Sequence, residues 1–138
     1  MYAVAGIGTF TIGMVWKEDG SGTDEGFWGG WNGSGMMFGY NGGMNVYGSG
    51  SLSTSQSLSG THLWIATSDS GTLTLYKDGT SVASGSQTYT PTSTQTWGIN
   101  WYSSGLHNAK GWASDCFYIP QALDSTEVAG IAAEFTAI

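Results

Sequence analysis

Apolar and polar positions alternate along most of this chain. Phe10, Ile12, Met14 and Trp16 alternate with Thr11, Gly13, Val15 and Lys17. That period of two predicts a half-buried β-strand. Further on, Met36 to Tyr40 and Met44 to Tyr47 flank Asn41-Gly42-Gly43, residues that tolerate the positive φ of a tight turn, and predict a hairpin. Leu63 to Thr67 predicts a strand turned by Asp69-Ser70-Gly71 into Thr72 to Lys77, and Asp78-Gly79 turns the chain again into Ser81 to Ser84. Turn chemistry alone therefore predicts a three-stranded meander, with mostly Ser and Thr at its outer positions. Trp97, Ile99 and Trp101 alternate once more, and Trp112 to Ile119 predicts a final strand that Pro120 closes.

The period changes at the C-terminal end. Asp124 stands three residues before Glu127, the spacing of a capping box, and Val128, Ile131, Ala132 and Phe135 recur at helical spacing. One short amphipathic helix is expected against the strands. Between the elements, Ser49 to Ser59 and the segments KEDGSGTDEG and YSSGLHNAKG read as polar loops.

Composition supports β structure: Gly, Ser, Thr and aromatics dominate the 138 residues, enough for a single domain over 1–138 with one core. Three Lys, no Arg and ten acids give a formal charge of −7. No cationic surface is available to neutralise phosphates or approach anionic lipid, so nucleic acid and membrane are not expected partners. The one cysteine, Cys116, excludes an internal disulfide and reads as a small buried hydrophobe. The N-terminal MYAVAGIGTF has no basic region and too short an apolar run for a signal peptide or membrane span.

Three stretches, in order, resemble the laminin-G-like, concanavalin A-like lectin-glucanase jelly-roll family: GTFTIGMVWK, HLWIATSDSGTLTLYKDG and KGWASDCFYIPQALDSTEVAGIAAEF. The middle one is similar to the family's Leu-x-Leu-Tyr strand followed by Asp-Gly, matched by Leu73, Leu75, Tyr76, Asp78 and Gly79. The last resembles its closing strand and short helix. The resemblance covers most of Thr9 to Phe135. It implies an all-β fold, a two-sheet antiparallel jelly-roll β-sandwich of concanavalin A-like type with one short C-terminal helix. Family members carry a strand or more ahead of the FTI segment, whereas nine residues precede Phe10 here, which implies an incomplete sheet edge at the front.

Glucanases of this fold need two carboxylates facing each other from strands, and no such strand is found. Glu18, Asp19, Asp24 and Glu25 cluster instead in a glycine-rich loop, which reads either as a solvated turn or as a calcium loop. No other cofactor is implied. His62, within a strand, reads as a packed histidine, His107 as an exposed one, and no nucleophile elbow or Cys/His metal spacing occurs. The chain is therefore read as non-enzymatic.

Seven Trp, seven Tyr and five Phe stand out. Trp16, Trp64 and Trp97 fall on core faces. Phe27, Trp28, Trp31, Trp101, Tyr102 and Trp112 lie in or beside loops and are the candidates to stack on sugar rings or anchor a protein interface. Two functions follow. The first is a structural or display subunit, a decoration-type protein on a virus particle such as a bacteriophage head or tail, made in the host cytoplasm and placed on the virion surface. Its partners would be other structural subunits and further copies of itself, and its acidic surface would keep it soluble. The alternative is an extracellular lectin-like adhesion module that binds carbohydrate through its aromatic loops.

Overall fold

The computed structural model describes residues 3–4, 9–18, 25–30, 36–40, 44–47, 51–57, 59–86, 95–96, 98–99 and 111–136. The strands are β1 (Ala3–Val4), β2 (Phe10–Glu18), β3 (Glu25–Gly30), β4 (Met36–Tyr40), β5 (Met44–Tyr47), β6 (Ser51–Ser53), β7 (Thr61–Asp69), β8 (Thr72–Lys77), β9 (Thr80–Ser86), β10 (Gln95–Thr96), β11 (Gly98–Ile99) and β12 (Gly111–Ile119). A single helix, α1 (Ser125–Thr136), follows among the described residues. Two five-stranded antiparallel sheets, ordered β12-β2-β7-β8-β9 and β11-β3-β4-β5-β6, form a sandwich, and β1 pairs with β10 apart from both. The expected all-β sandwich with a short C-terminal helix is what the chain forms.

The core between the sheets is built from one parity of each strand. Phe10, Ile12, Met14 and Trp16 of β2 meet Trp64 and Ala66 of β7, Leu73 and Leu75 of β8, and Met44 and Val46 of β5. Trp16 and Trp64 are buried as expected, whereas Trp97 lies outside the described residues. Each such side chain removed from water contributes about 1.5–3 kcal/mol.

The other parity was expected to face solvent, and here the structure departs from the alternating pattern. α1 lies over the outer face of β2, β7 and β8, and Leu63, Ile65, Tyr76, Val128 and Ala132 form a second buried cluster with Val15, Phe117, Leu123, Ile131 and Phe135 against it. The strand read as half-buried is covered on both sides: Thr11 is fully buried, and Gly13 leaves the space in which the Phe117 ring lies, since a Cβ there would come within 2.1 Å of it. Thr11 is satisfied by donating from Oγ1 to the Gln121 carbonyl (2.8 Å) and accepting from the Leu123 N–H (3.0 Å), which ties the lead-in of α1 to β2. Exposed or half-buried Ser and Thr at the outer positions of the meander include Thr72, Thr74, Ser84 and Ser86, while Thr67 on the same face is buried.

α1 begins as the capping box predicts. Asp124 Oδ1 accepts from the N–H groups of Thr126 (2.8 Å) and Glu127 (2.9 Å), and Glu127 Oε2 accepts from the Asp124 N–H (2.9 Å). The Met36–Tyr40 and Met44–Tyr47 hairpin forms with Tyr40 opposite Met44. Two other expectations change. The serine-rich stretch contributes a strand, β6, and the run around Trp97 serves two partners, β10 on Ala3–Val4 and β11 on Trp28–Gly29. Nor is the front edge open at Phe10: β2 is interior, with β12 on one side and β7 on the other, because the closing strand returns to complete the sheet.

Candidate functional site

Of the six predicted aromatic candidates, Phe27, Trp28 and Trp112 are among the described residues. Phe27 and Trp28 lie on β3, which runs inside its sheet between β11 and β4, so the glycine-rich segment read as a loop is a strand. The register sets Ile99, Trp28, Phe38, Val46 and Leu52 in one cross-strand row, in which Val46 is fully buried. Trp31, Trp101 and Tyr102 lie outside the described residues. Of the calcium-loop candidates, Glu18 ends β2 and Glu25 begins β3, while Asp19 and Asp24 lie outside the described residues. Among the described residues no group of three or more His, Cys, Asp or Glu is placed to hold a metal ion.

Trp112 is different. It stands at the start of β12, an edge strand, and at 74% exposure it is the large hydrophobic side chain left open to solvent among the described residues. The antiparallel register pairs Trp112 with Lys17 and Lys17 with Thr61. Directly opposed residues share a face, so Trp112, Lys17 and Thr61 form one row across three strands on the helix-bearing side of the sheet, about 10 Å from end to end. All three are exposed, and neither Lys17 nor Trp112 is engaged in a hydrogen bond or ion pair among the described residues. A bulge follows at Ser114-Asp115, where two residues oppose Val15 alone and sharpen the local twist.

The row runs into a cleft of about 90 Å³ between the C-terminal half of α1 and the sheet, lined by Val15, Thr61, His62, Leu63, Asp78, Ala132 and Phe135. Its walls are mostly apolar, with one charged corner. There Asp78 Oδ2 lies 2.7 Å from His62 Nδ1 and Asp78 Oδ1 accepts from the Leu63 N–H at 3.0 Å. His62 Nε2 faces the Ser59 carbonyl at 2.8 Å. The ring is thereby held through both of its nitrogens. His62, read from the sequence as a packed histidine, is half-buried and hydrogen-bonded at both ring nitrogens.

Among the described residues the cleft offers Thr61, His62 and Asp78 as polar groups on otherwise apolar walls. It presents a single carboxylate, Asp78, and both its oxygens are already engaged, whereas glycoside hydrolysis calls for two carboxyl groups across the bond. Burial, reinforced by the neighbouring Asp115 carboxylate, pushes the Cys116 thiol up to about 11, which keeps it protonated near neutral pH. Sequence reasoning missed Lys17, Thr61 and Asp78. The alternation does put Lys17 on the face opposite Trp16, but its neighbour Trp112 is distant along the chain.

No family model matches this sequence, and no curated protein does. Solved structures do. The fold superposes on a putative carbohydrate binding protein from Bacteroides ovatus with a TM-score of 0.74 at 14% identity, over 93% of this chain and 42% of that one. It matches a Ruminococcus gnavus sialidase carbohydrate-binding domain, CBM40, bound to α2,3-sialyllactose with a TM-score of 0.72 at 12% identity, over 91% and 83%. A Trypanosoma rangeli sialidase in complex with 2,3-difluorosialic acid matches with a TM-score of 0.71 at 13% identity; the match covers 93% of this chain but 23% of the sialidase. These likenesses show the fold, a concanavalin A-like jelly roll.

Proposed function

We propose that this chain is a carbohydrate-binding module that takes saccharide on the outer face of its helix-bearing sheet. The observation that carries the reading is the open indole of Trp112, held on a rigid strand beside a partly apolar cleft. Pyranose rings present apolar C–H faces that stack on aromatic rings, while their hydroxyls need nearby polar groups such as Thr61. Two neighbours of the same fold, the Bacteroides protein and the sialidase domain, are described as carbohydrate-binding, which supports the choice. A glycan array tests it, followed by tryptophan-fluorescence titration of the strongest hit. Trp112→Ala is expected to remove binding with the melting temperature unchanged; retention of full affinity in that variant would move the site elsewhere.

The reading as a subunit displayed on a virion surface is second. It is favoured by the Arg-free composition with its charge of −7 and by β12, an edge strand of nine residues able to accept a strand from another copy. It predicts a closed oligomer by light scattering. The two readings are compatible, since β12 carries both the open edge and Trp112.

A further inference from the structure

In a chain where ten acids face three lysines and no arginine, the placing of the cations carries information. Lys77 is committed: its Nζ donates to the Ser57 carbonyl at 2.7 Å and sits 5.6 Å over the Trp64 ring. Lys110 lies outside the described residues. Lys17, by contrast, is exposed and free of any ion pair or hydrogen bond among them, and the register sets it between the open Trp112 indole and Thr61 at the mouth of the cleft. No cation–π contact joins Lys17 to Trp112, so both the ring face and the ammonium are available.

We infer that the saccharide bound here is anionic, bearing carboxylate or sulfate, with its ring on the Trp112 indole, its acidic group on the Lys17 ammonium and a neighbouring hydroxyl on Thr61. This deepens the carbohydrate-binding reading and rests on it. The spacing suits such a ligand, because about 10 Å of row separates the stacking platform from the cleft, with the cation midway. The surrounding acids sharpen the selection. Asp115 is exposed on the bulge of the same strand, and Asp78 sits in the cleft already tied to His62 and Leu63. Among the described residues of this face an anion therefore gains at Lys17 and is repelled by Asp115 and Asp78, which orients it.

The test is fluorescence titration of the intact chain with three hexasaccharides: oligogalacturonate, chondroitin sulfate and neutral cellohexaose. At low salt at least one acidic oligomer is expected to bind about tenfold more tightly than cellohexaose, the scale of one charge-assisted hydrogen bond at an exposed site. A preference for galacturonate assigns a carboxylate and one for chondroitin a sulfate. Lys17→Gln should remove the preference, Lys17→Arg retain it and Asp115→Asn strengthen it, while added salt should weaken it. Cellohexaose binding as tightly as both acids, unaffected by Lys17→Gln, would overturn the anionic assignment and leave the carbohydrate reading standing. Absence of binding to any saccharide, on these titrations and on the array, would overturn both. Self-association that disappears in Trp112→Ala would assign the face to a second copy of the chain and overturn the inference.

Discussion

The two turns of the meander have the same backbone and different work. Ser70-Gly71 joins β7 to β8 with φ of 48° and 90°, and Asp78-Gly79 joins β8 to β9 with φ of 50° and 81°. Both are two-residue turns with left-handed φ at each position, the type whose twist matches that of the strands it joins. Yet Ser70 only bonds its exposed neighbour Asp69 (2.9 Å), whereas Asp78 holds His62 and the Leu63 N–H, and Gly79 lies against α1. Identical local geometry therefore does not imply equal importance; what packs on the turn decides.

Breaking the glycines should show the largest difference. Alanine at Gly71 costs about 1–2 kcal/mol for its left-handed backbone. At Gly79 the same penalty applies, and the added Cβ would also come within 2.8 Å of the Ala132 Cβ and 3.4 Å of the Ala129 Cα, so overpacking against the helix adds about 1–3 kcal/mol. Urea denaturation of Gly71→Ala and Gly79→Ala should rank them in that order; equal losses would mean that the helix yields freely.

Glycine placed at the preceding positions sharpens the contrast, because the signs should differ. Ser70→Gly relieves a strained φ and loses one exposed hydrogen bond, so it should raise stability by about 0.5 kcal/mol. Asp78→Gly relieves the same strain but leaves the Leu63 N–H and the half-buried His62 ring without their carboxylate, and should lower stability by about 1–2 kcal/mol. A stabilising Asp78→Gly would show that the carboxylate contributes nothing beyond the turn.

A control remote from both turns tests pH in place of sequence. The Cys116 thiol is raised to about 11 in the folded chain, while an exposed thiol ionises near ~8.5. A raised thiol contributes stability that is complete below the unfolded value and is lost as pH climbs toward the folded one. The urea midpoint should therefore fall between about pH 8.5 and 11. The fall should be shallower in Cys116→Ala, with a remainder from Tyr118, which burial also raises. Unchanged slopes in the two proteins would place the thiol in contact with water.

How much of this was legible in the sequence depends on the range over which each feature is decided. The Phe10–Glu18 strand, the two Gly-containing turns, the Met36–Tyr47 hairpin and the Asp124/Glu127 cap rest on preferences of residues within a few positions of one another. Alternation even separated Trp16 from Lys17. What alternation could not reveal was that the outer face of β2 and β7 is covered, since Leu63 and Ile65 are buried and Val15 partly buried under a helix about sixty or more residues further along. Nor could glycine content reveal that Glu25–Gly30 is an interior strand, because a strand rich in Gly is stabilised by its neighbours and not by its own propensity.

The candidate site divides the same way. The sequence by itself determined that a sandwich of strands with a capped terminal helix would form, that its surface would be acidic and that aromatic residues would exceed what one core needs. Local backbone preference, burial and charge are properties of the residues themselves. Only the tertiary structure decided that Trp112 stays open, that it stands beside Lys17 and Thr61, and that Asp78 closes on His62 and Leu63. Those pairings join residues far apart along the chain, and their register is set by the sum of many weak contacts across both sheets, which no single segment encodes.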